Sequence, residues 1–396
     1  MKLWIGAMLA WATGAAWAVT PAITSVTAQQ RYPWNGKVDI SYTVTGDIAG
    51  YALTNGLITT LKVTATDTIA NTSYTATTES LSGATSLTEG GHAIVWDLDQ
   101  HGVSLKSSNV VFNVSCEAAE ALYCVIDLSD GPNAANYPVS YLDSEPDGGF
   151  ANDDTYRTTK LVLRRISAGS FIMGDNQADE SHRVTLTQPF YMGIFEVTQK
   201  QWMLVMGNDA CSYTDYGKGD GFPVHYVSYS SIRGSSNGAR WPSSAAVDAT
   251  SFLGKLQART KLNFDLPTEA QWECACRAGT TTTYYWGDSM DGDYAWYLSN
   301  ASSTSHPVGM KKPNAWGLYD MSGNVTEWCL DWFSSLAYGT DPKGSSYSSL
   351  SASSRVGRGG CWHDSKLYSQ SSYRSFSRPG DYYYGYYGFR LSRTLP

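Results

Sequence analysis

Apolar and polar residues alternate with a period of two through the first part of the chain. Val38-Asp39-Ile40-Ser41-Tyr42-Thr43-Val44 and Leu61-Lys62-Val63-Thr64-Ala65 each send one set of side chains to one face, and Val110 to Val114 repeats the pattern. Gly, Ser, Thr and Asn clusters separate these runs, so residues 19–116 are expected to form a small antiparallel sandwich. Its size suits an immunoglobulin-like or fibronectin-like module acting as a spacer, without the disulfide of antibody domains. Residues 117–160 read as a junction, with a strand over Leu122 to Leu128 and an exposed loop rich in Asp, Gly and Pro over Asp143 to Asp154.

From residue 161 to 396 the pattern becomes irregular. Strand-like runs are expected over Ile166 to Met173, Val184 to Leu186 and Phe190 to Val197. Three helical stretches follow. Thr198 can cap a short helix carrying Trp202, Val205 and Met206 and closed by Gly207. Ala249, Phe252, Leu253 and Leu256 share one face of a helix predicted from about Ser244 to Ala258. Thr268 and Gln271 have the spacing of a capping box, and Gly279 can end that helix. Beyond it the chain is mostly Gly, Ser, Asn and aromatic residues, so the body needs tethers other than a regular sheet. Metal ions or disulfides are the usual ones.

Composition narrows the function classes. The chain has 396 residues, 28 basic against 36 acidic, and a net charge of −8. It lacks the basic footprint of a nucleic-acid binder. Lys2, the apolar run Leu3 to Ala12 and Ala16-Trp17-Ala18 have the layout of a signal peptide over residues 1–18, cleaved after Ala18. No later run reaches the roughly 20 apolar residues of a spanning helix. The body is therefore expected to be secreted, periplasmic or associated with the cell surface, where disulfides are allowed. Seven cysteines are present, an odd number, and none lies in a Cys-x-x-Cys pair, so a structural zinc site is not expected.

Four blocks near the C-terminus carry the most specific signal. They are Leu266-Pro267-Thr268-Glu269-Ala270-Gln271-Trp272-Glu273, Gly323-Asn324-Val325-Thr326-Glu327-Trp328, Arg358-Gly359-Gly360-Cys361-Trp362 and Gly388-Phe389-Arg390. In this order and spacing they resemble the sulfatase-modifying-factor domain, whose best-known members are the formylglycine-generating enzymes. The resemblance covers about Leu161 to Arg393 and implies an irregular α+β body related to C-type lectins. It also implies a structural calcium held by Asp320, the carbonyls of Gly323 and Val325, and Glu327. Two acids flanking a tight Gly turn suit a hard cation. The alternative is a plain connection whose Glu327 bonds a backbone group.

The same resemblance would place a copper-binding cysteine pair at positions 364 and 369. This chain has Asp364 and Ser369 there. Monovalent copper is soft, and oxygen ligands do not replace two thiolates. Cys361 stands beside the lost pair and reads as a packed residue or one bonded to Cys329, with a reactive thiol helped by His363 and Asp364 as the other reading. Candidate catalytic residues are thus Cys361, His363, Asp364 and Ser369. Trp362, Arg374, Arg378 and Tyr384 could line a groove, since tyrosine-rich surfaces suit recognition. The expected function is an exported, non-catalytic member of the family that binds a polypeptide or a glycan. The alternatives are a formylglycine-generating oxidase acting on a cysteine of sulfatase-type polypeptides, or a non-haem iron oxygenase assembled from far-apart histidines. Neither copper nor iron is expected.

Overall fold

The computed structural model describes residues 22–31, 35–83, 85–103, 110–175, 181–211, 216–333, 339–342, 354–380 and 385–396. The predicted signal peptide, 1–18, and Tyr384 lie outside the described residues. The protein is mostly β with few and short helices, and it divides into two units after Ala121.

The first unit holds β1 (Ala22–Gln30), β2 (Lys37–Thr45), α1 (Ile48–Asn55), β3 (Leu57–Asp67), β4 (Thr72–Thr75), β5 (Leu81–Gly83), β6 (Gly90–Asp97) and β7 (Val110–Glu120). One sheet has the order β1-β2-β6-β5 and the other β4-β3-β7. The period of two explains the core. Val38, Ile40, Tyr42 and Val44 of β2 and Val110, Phe112, Val114 and Cys116 of β7 all turn inward into one apolar cluster. Trp96 of β6 meets Phe112 edge to face at 6.1 Å, so side chains of both sheets share that core. The helix α1 was not foreseen. Asp47 caps it by accepting from the Gly50 amide, and Gly56 ends it in the left-handed region.

The second unit begins at Leu122, so the junction expected over residues 117–160 is not a separate segment. Its residues supply β8 (Tyr123–Asp127), β9 (Val139–Leu142) and α2 (Thr155–Thr158), followed by β10 (Lys160–Ile166). The apolar run of β8 is buried because it pairs along its length with β10. Next come β11 (Gly169–Met173), β12 (His182–Leu186) and β13 (Phe190–Gly193), and then the helices α3 (Gln199–Met206), α4 (Tyr229–Arg233), α5 (Phe252–Thr260) and α6 (Glu269–Arg277). The chain closes with β14 (Thr326–Trp332), β15 (Gly339–Thr340), β16 (Arg355–Arg358), β17 (Ser375–Ser377), β18 (Tyr387–Gly388) and β19 (Ser392–Thr394). The sheets run β19-β13-β10-β8-β9, β11-β12-β15 and β17-β16-β14-β18.

The caps explain the helices. Thr198 with Gln201, and Thr268 with Gln271, form full capping boxes, and Gly207 closes α3. Helix α5 starts at Phe252 rather than near Ser244. Ser251 caps it, while the Asp248 carboxylate accepts from the amides of Ser236 and Asn237 and holds the preceding stretch as a loop. Helix α6 ends at Ala278 in the left-handed region, one residue before the expected glycine.

Replacing Thr268 by Ala removes the acceptor for the Gln271 amide, 3.1 Å away. The expected loss is about 1 kcal/mol of unfolding free energy, measured by urea denaturation with an unchanged m-value.

Candidate functional site

The four C-terminal blocks meet in space. β14 carries the Gly323–Trp328 block and pairs with β16 on one side, Glu327 opposite Arg358, and with β18 on the other, Glu327 beside Gly388. Helix α6 packs against both β14 and β16. The turn before β14 is tight. Gly323 has φ 80°, and a Cβ there would stand 2.1 Å from the Trp296 carbonyl oxygen, so no larger residue fits.

Buried ion pairs hold this junction together. Arg390 grips Glu327 with two hydrogen bonds of 2.6 Å, and the Trp272 indole donates to the same carboxylate at 2.7 Å. The remaining Arg390 donors reach the carbonyls of Gly193 and Tyr319, both at 2.9 Å. Beside this pair, Arg358 binds Glu273 and stands 3.6 Å from Glu269. Glu269 is in turn held by Arg374 through bonds of 2.6 and 2.8 Å. Glu273 also accepts from Arg277 and from the Gly174 amide, each at 2.8 Å.

These contacts bear on two expectations. In the expected calcium set of Asp320, Gly323, Val325 and Glu327, both oxygens of Glu327 bond Arg390 and Trp272. Asp320 is buried apart, accepting from the Gly309 amide at 2.7 Å with Oδ1 unpaired. Arg374, expected in a groove, is partly buried and binds Glu269 through Nε and one terminal nitrogen.

The segment after β16 is organised by its backbone. Gly360 has φ 70°, and a Cβ there would lie 2.6 Å from the Tyr368 carbonyl oxygen. The Trp362 amide donates to the Asn324 carbonyl at 2.9 Å, the Leu298 amide to the Asp364 carbonyl at 2.9 Å, and the Ser322 hydroxyl to the Ser369 carbonyl at 2.9 Å. Trp362 is buried rather than exposed in a groove, its ring 5.3 Å from those of Tyr216 and Tyr386. His363 is exposed and stacks on Tyr386 at 5.2 Å. Arg378 is exposed. Among the described residues, the outward face of this region carries Leu298, Leu367 and Tyr368, exposed by 52%, 56% and 40%.

The thiols are unpaired and mostly buried. All seven cysteines are free, so Cys361 is not bonded to Cys329. The two sit in different surroundings: Cys329 lies within β14 near Glu269 and Arg358, whereas Cys361 lies in the turn past β16 beside Asp364. Burial, with Asp364 adding to it, raises the Cys361 thiol well above its ordinary range. The Asp364 carboxylate accepts from the Cys361 amide at 3.0 Å and so caps the turn. Ser369 is fully buried, with its hydroxyl unpaired among the described residues. No group of three or more His, Cys, Asp or Glu side chains is placed to hold a metal ion among the described residues. Of the histidines in this unit, His225 is buried and reaches the Gly217 carbonyl, and His306 lies flat on Trp296 with ring centroids 3.7 Å apart.

Three buried acids are shifted above their usual range. Burial, with Glu269 close by, pushes Asp331 up to about 7, although the Glu269 amide donates to it at 2.6 Å. Burial also pushes Asp320 up to about 6. Glu196 is raised by burial and then by Asp320 and Glu327, and its carboxylate accepts from Asn324 and from the Val325 amide.

Residues 150–395 match the model of the sulfatase-modifying factor enzyme 1-like domain. The chain belongs to this family. Among curated relatives, chaperone protein LppX of Paenibacillus barcinonensis is 31% identical over 209 residues, 44% of this chain and 72% of LppX. Serine/threonine-protein kinase pkn1 of Chlamydia caviae is 31% identical over 246 residues, 60% of this chain and 38% of the kinase. The formylglycine-generating enzyme of Streptomyces coelicolor is 37% identical over 116 residues, 25% of this chain and 37% of the enzyme. The chain thus spans little more than a third of the last two. Among solved structures, Treponema denticola variable protein 1 aligns over 60% of this chain and 96% of its own, at 28% identity and a TM-score of 0.49. PvdO from Pseudomonas aeruginosa aligns over 59% and 94%, at 25% identity and a TM-score of 0.46.

Within this sulfatase-modifying-factor domain, sequence reasoning overlooked the carboxylates that bind the arginines. The signal was present: Glu269, Glu273 and Arg277 recur every four residues along one face of α6.

Glu327→Gln leaves the Arg390 charge buried without its counter-ion. It should lower unfolding free energy by about 3–5 kcal/mol, read by chemical denaturation, and a chelator added to the unaltered protein should not reproduce the loss. Asp331 gives a pH test. Its folded value near 7 lies above the ordinary value of about 3.9, so its contribution is full below that value and is lost as pH rises through 7. Asp331→Asn should therefore flatten the fall of melting temperature between acid and neutral pH and melt higher than the parent at alkaline pH.

Proposed function

We propose that this chain is an exported, non-catalytic member of the sulfatase-modifying-factor family whose second unit binds a polypeptide or a glycan. The observation that carries the reading is the chemistry of the turn after β16. The family's oxidases need two thiolates there, and this turn offers Asp364, committed to capping the Cys361 amide, and Ser369, buried in the core. The neighbouring thiol of Cys361 is enclosed and held protonated by its surroundings, so it is a poor soft ligand and a poor nucleophile. What faces solvent instead is a set of apolar and aromatic side chains on a rigidly tied backbone, a surface suited to contact rather than turnover.

The N-terminal unit is read as an immunoglobulin-like or fibronectin-like spacer. Two short sheets around one core and an export signal at the head of the sequence favour that role. Similarity to formylglycine-generating enzymes keeps an oxidase as the second reading, and one assay separates the two. The purified protein, given Cu(I) and a cysteine-containing sulfatase-type peptide, should consume no oxygen and leave the peptide thiol intact in a free-thiol assay. Copper-dependent loss of that thiol with formation of an aldehyde would overturn the proposal.

A further inference from the structure

A pocket of about 560 Å³ lies among the end of β10, the turn into β11 and the C-terminal end of α6, a size within the roughly 300–1,000 Å³ of small-molecule sites. Leu122, Ile166, Phe171, Ile172 and Trp316 give it apolar walls. Leu122, Phe171 and Trp316 are partly buried and pack on the core of the second unit, while Ile172 is exposed by 40%. An apolar body laid against these side chains takes their surface out of water, which favours binding. Two of the hydroxyls in the wall are engaged within the protein: Ser170 bonds Thr185 at 2.8 Å, and Thr280 donates to the Arg277 carbonyl at 2.9 Å.

The charge of the wall has one sign. Arg164, Arg165 and Arg277 line the pocket, and no Asp or Glu does. Arg165 alternates to the other face of β10, where it bonds Tyr191. Arg277 is paired with Glu273 at 2.8 Å and donates to the carbonyls of Thr282 and Gly174, with one N–H on each terminal nitrogen left over. Arg164 is held differently. Its Nη1 donates to the Tyr123 hydroxyl at 3.2 Å, and that hydroxyl donates to Glu145 at 3.0 Å, so a tyrosine orients the guanidinium. Among the described residues Arg164 forms no ion pair, and its Nε and Nη2 make no hydrogen bond. That edge is the fork that grips a carboxylate through two parallel bonds. The last carbonyls of α6, which would repel an anion, are all engaged. Cys274 accepts from the Ala278 amide, Ala275 and Cys276 from the Asn314 side chain, and Arg277 from the Thr280 amide. The arginines repel a cation. A neutral ligand seated over the fork cuts its donors off from water without replacing the bonds. A small inorganic anion leaves the apolar walls wet.

We infer that this pocket binds a carboxylate on an apolar body, its charge on the Nε–Nη2 edge of Arg164 and its body against Ile166, Phe171, Ile172 and Trp316. The pocket shares no lining residue with the turn after β16, so the inference stands whether or not that turn is catalytic. A carboxylate of this kind comes as a free alkanoate or as the end of a polypeptide, and the test separates the two. Titration calorimetry of the full chain uses octanoate and N-acetyl-Leu-Phe, against octanol, octylammonium, acetate and the amide of the same dipeptide. At least one of the two carboxylates should bind in the millimolar range or tighter, and about tenfold more tightly than its uncharged counterpart. Tighter octanoate assigns the free acid as ligand, and tighter dipeptide assigns the chain end. Arg164→Gln, checked for an unchanged melting temperature, should weaken the carboxylate about tenfold, the loss of a bond to a charged partner, and leave the uncharged counterpart as it was. Arg164→Lys, which keeps the charge and loses the fork, serves the same purpose if the glutamine variant does not fold. Ile172→Ser, at an exposed position, should weaken the carboxylate through lost apolar contact. Phe376→Ala, on an exposed side chain outside the pocket, should change nothing. The inference is overturned if neither carboxylate binds, or if octylammonium or acetate binds as tightly as octanoate. Carboxylate binding that survives both the Arg164 and the Ile172 variants overturns it as well.

Discussion

The second unit depends on guanidinium–carboxylate pairs that are hidden from water. Its regular secondary structure is sparse: helices of four to nine residues, strands of two to seven residues and long connecting loops. Arg390–Glu327, Arg358–Glu273 and Arg374–Glu269 each join segments far apart in the chain. A buried pair of this kind need not be more stabilising than well-packed apolar residues, but breaking one strands a charge in the interior. Each pair is matched only when its two segments meet, and together the pairs select one arrangement of loops that otherwise have few ladders to fix them.

This accounts for what the sequence disclosed and what it withheld. Periodicity located β2 and the central parts of β3 and β7, where alternate side chains turn inward, and a continuous apolar run located β8, which is buried on both faces. Capping residues located α3 and α6, because Thr198 and Thr268 satisfy local amides and need no distant partner. The start of α5 was misplaced because Asp248 bonds a loop on another stretch of chain, and local propensity carries no trace of that. The arginine partner of Glu327 was missed for the same reason. Its partner Arg390 lies 63 positions away, so the local surroundings of Glu327, an acid near a glycine turn, suggested a cation. The tethers that the structure does show among the loops are arginine–carboxylate pairs, and all seven cysteines are free.

The turn after β16 is shaped by a few groups of its own. Arg358, the two glycines and Trp362 shape the turn and anchor it, and none of them is a redox group. Asp364 serves that same turn as a cap. The positions that would have to be sulfur for copper can thus be oxygen with no strain on the anchor, and the surrounding surface is left free for recognition.

The ties along residues 360–369 run mostly through main-chain atoms: the close approach of Gly360 to Tyr368, and the bonds made by Trp362, Asp364 and Ser369. A loop fastened by its peptide groups is indifferent to most of the side chains it displays. Substitutions at His363, Leu367 or Tyr368 can then alter what the surface recognises while the scaffold beneath keeps its shape, which makes this stretch a place where new specificity can arise at little risk to folding.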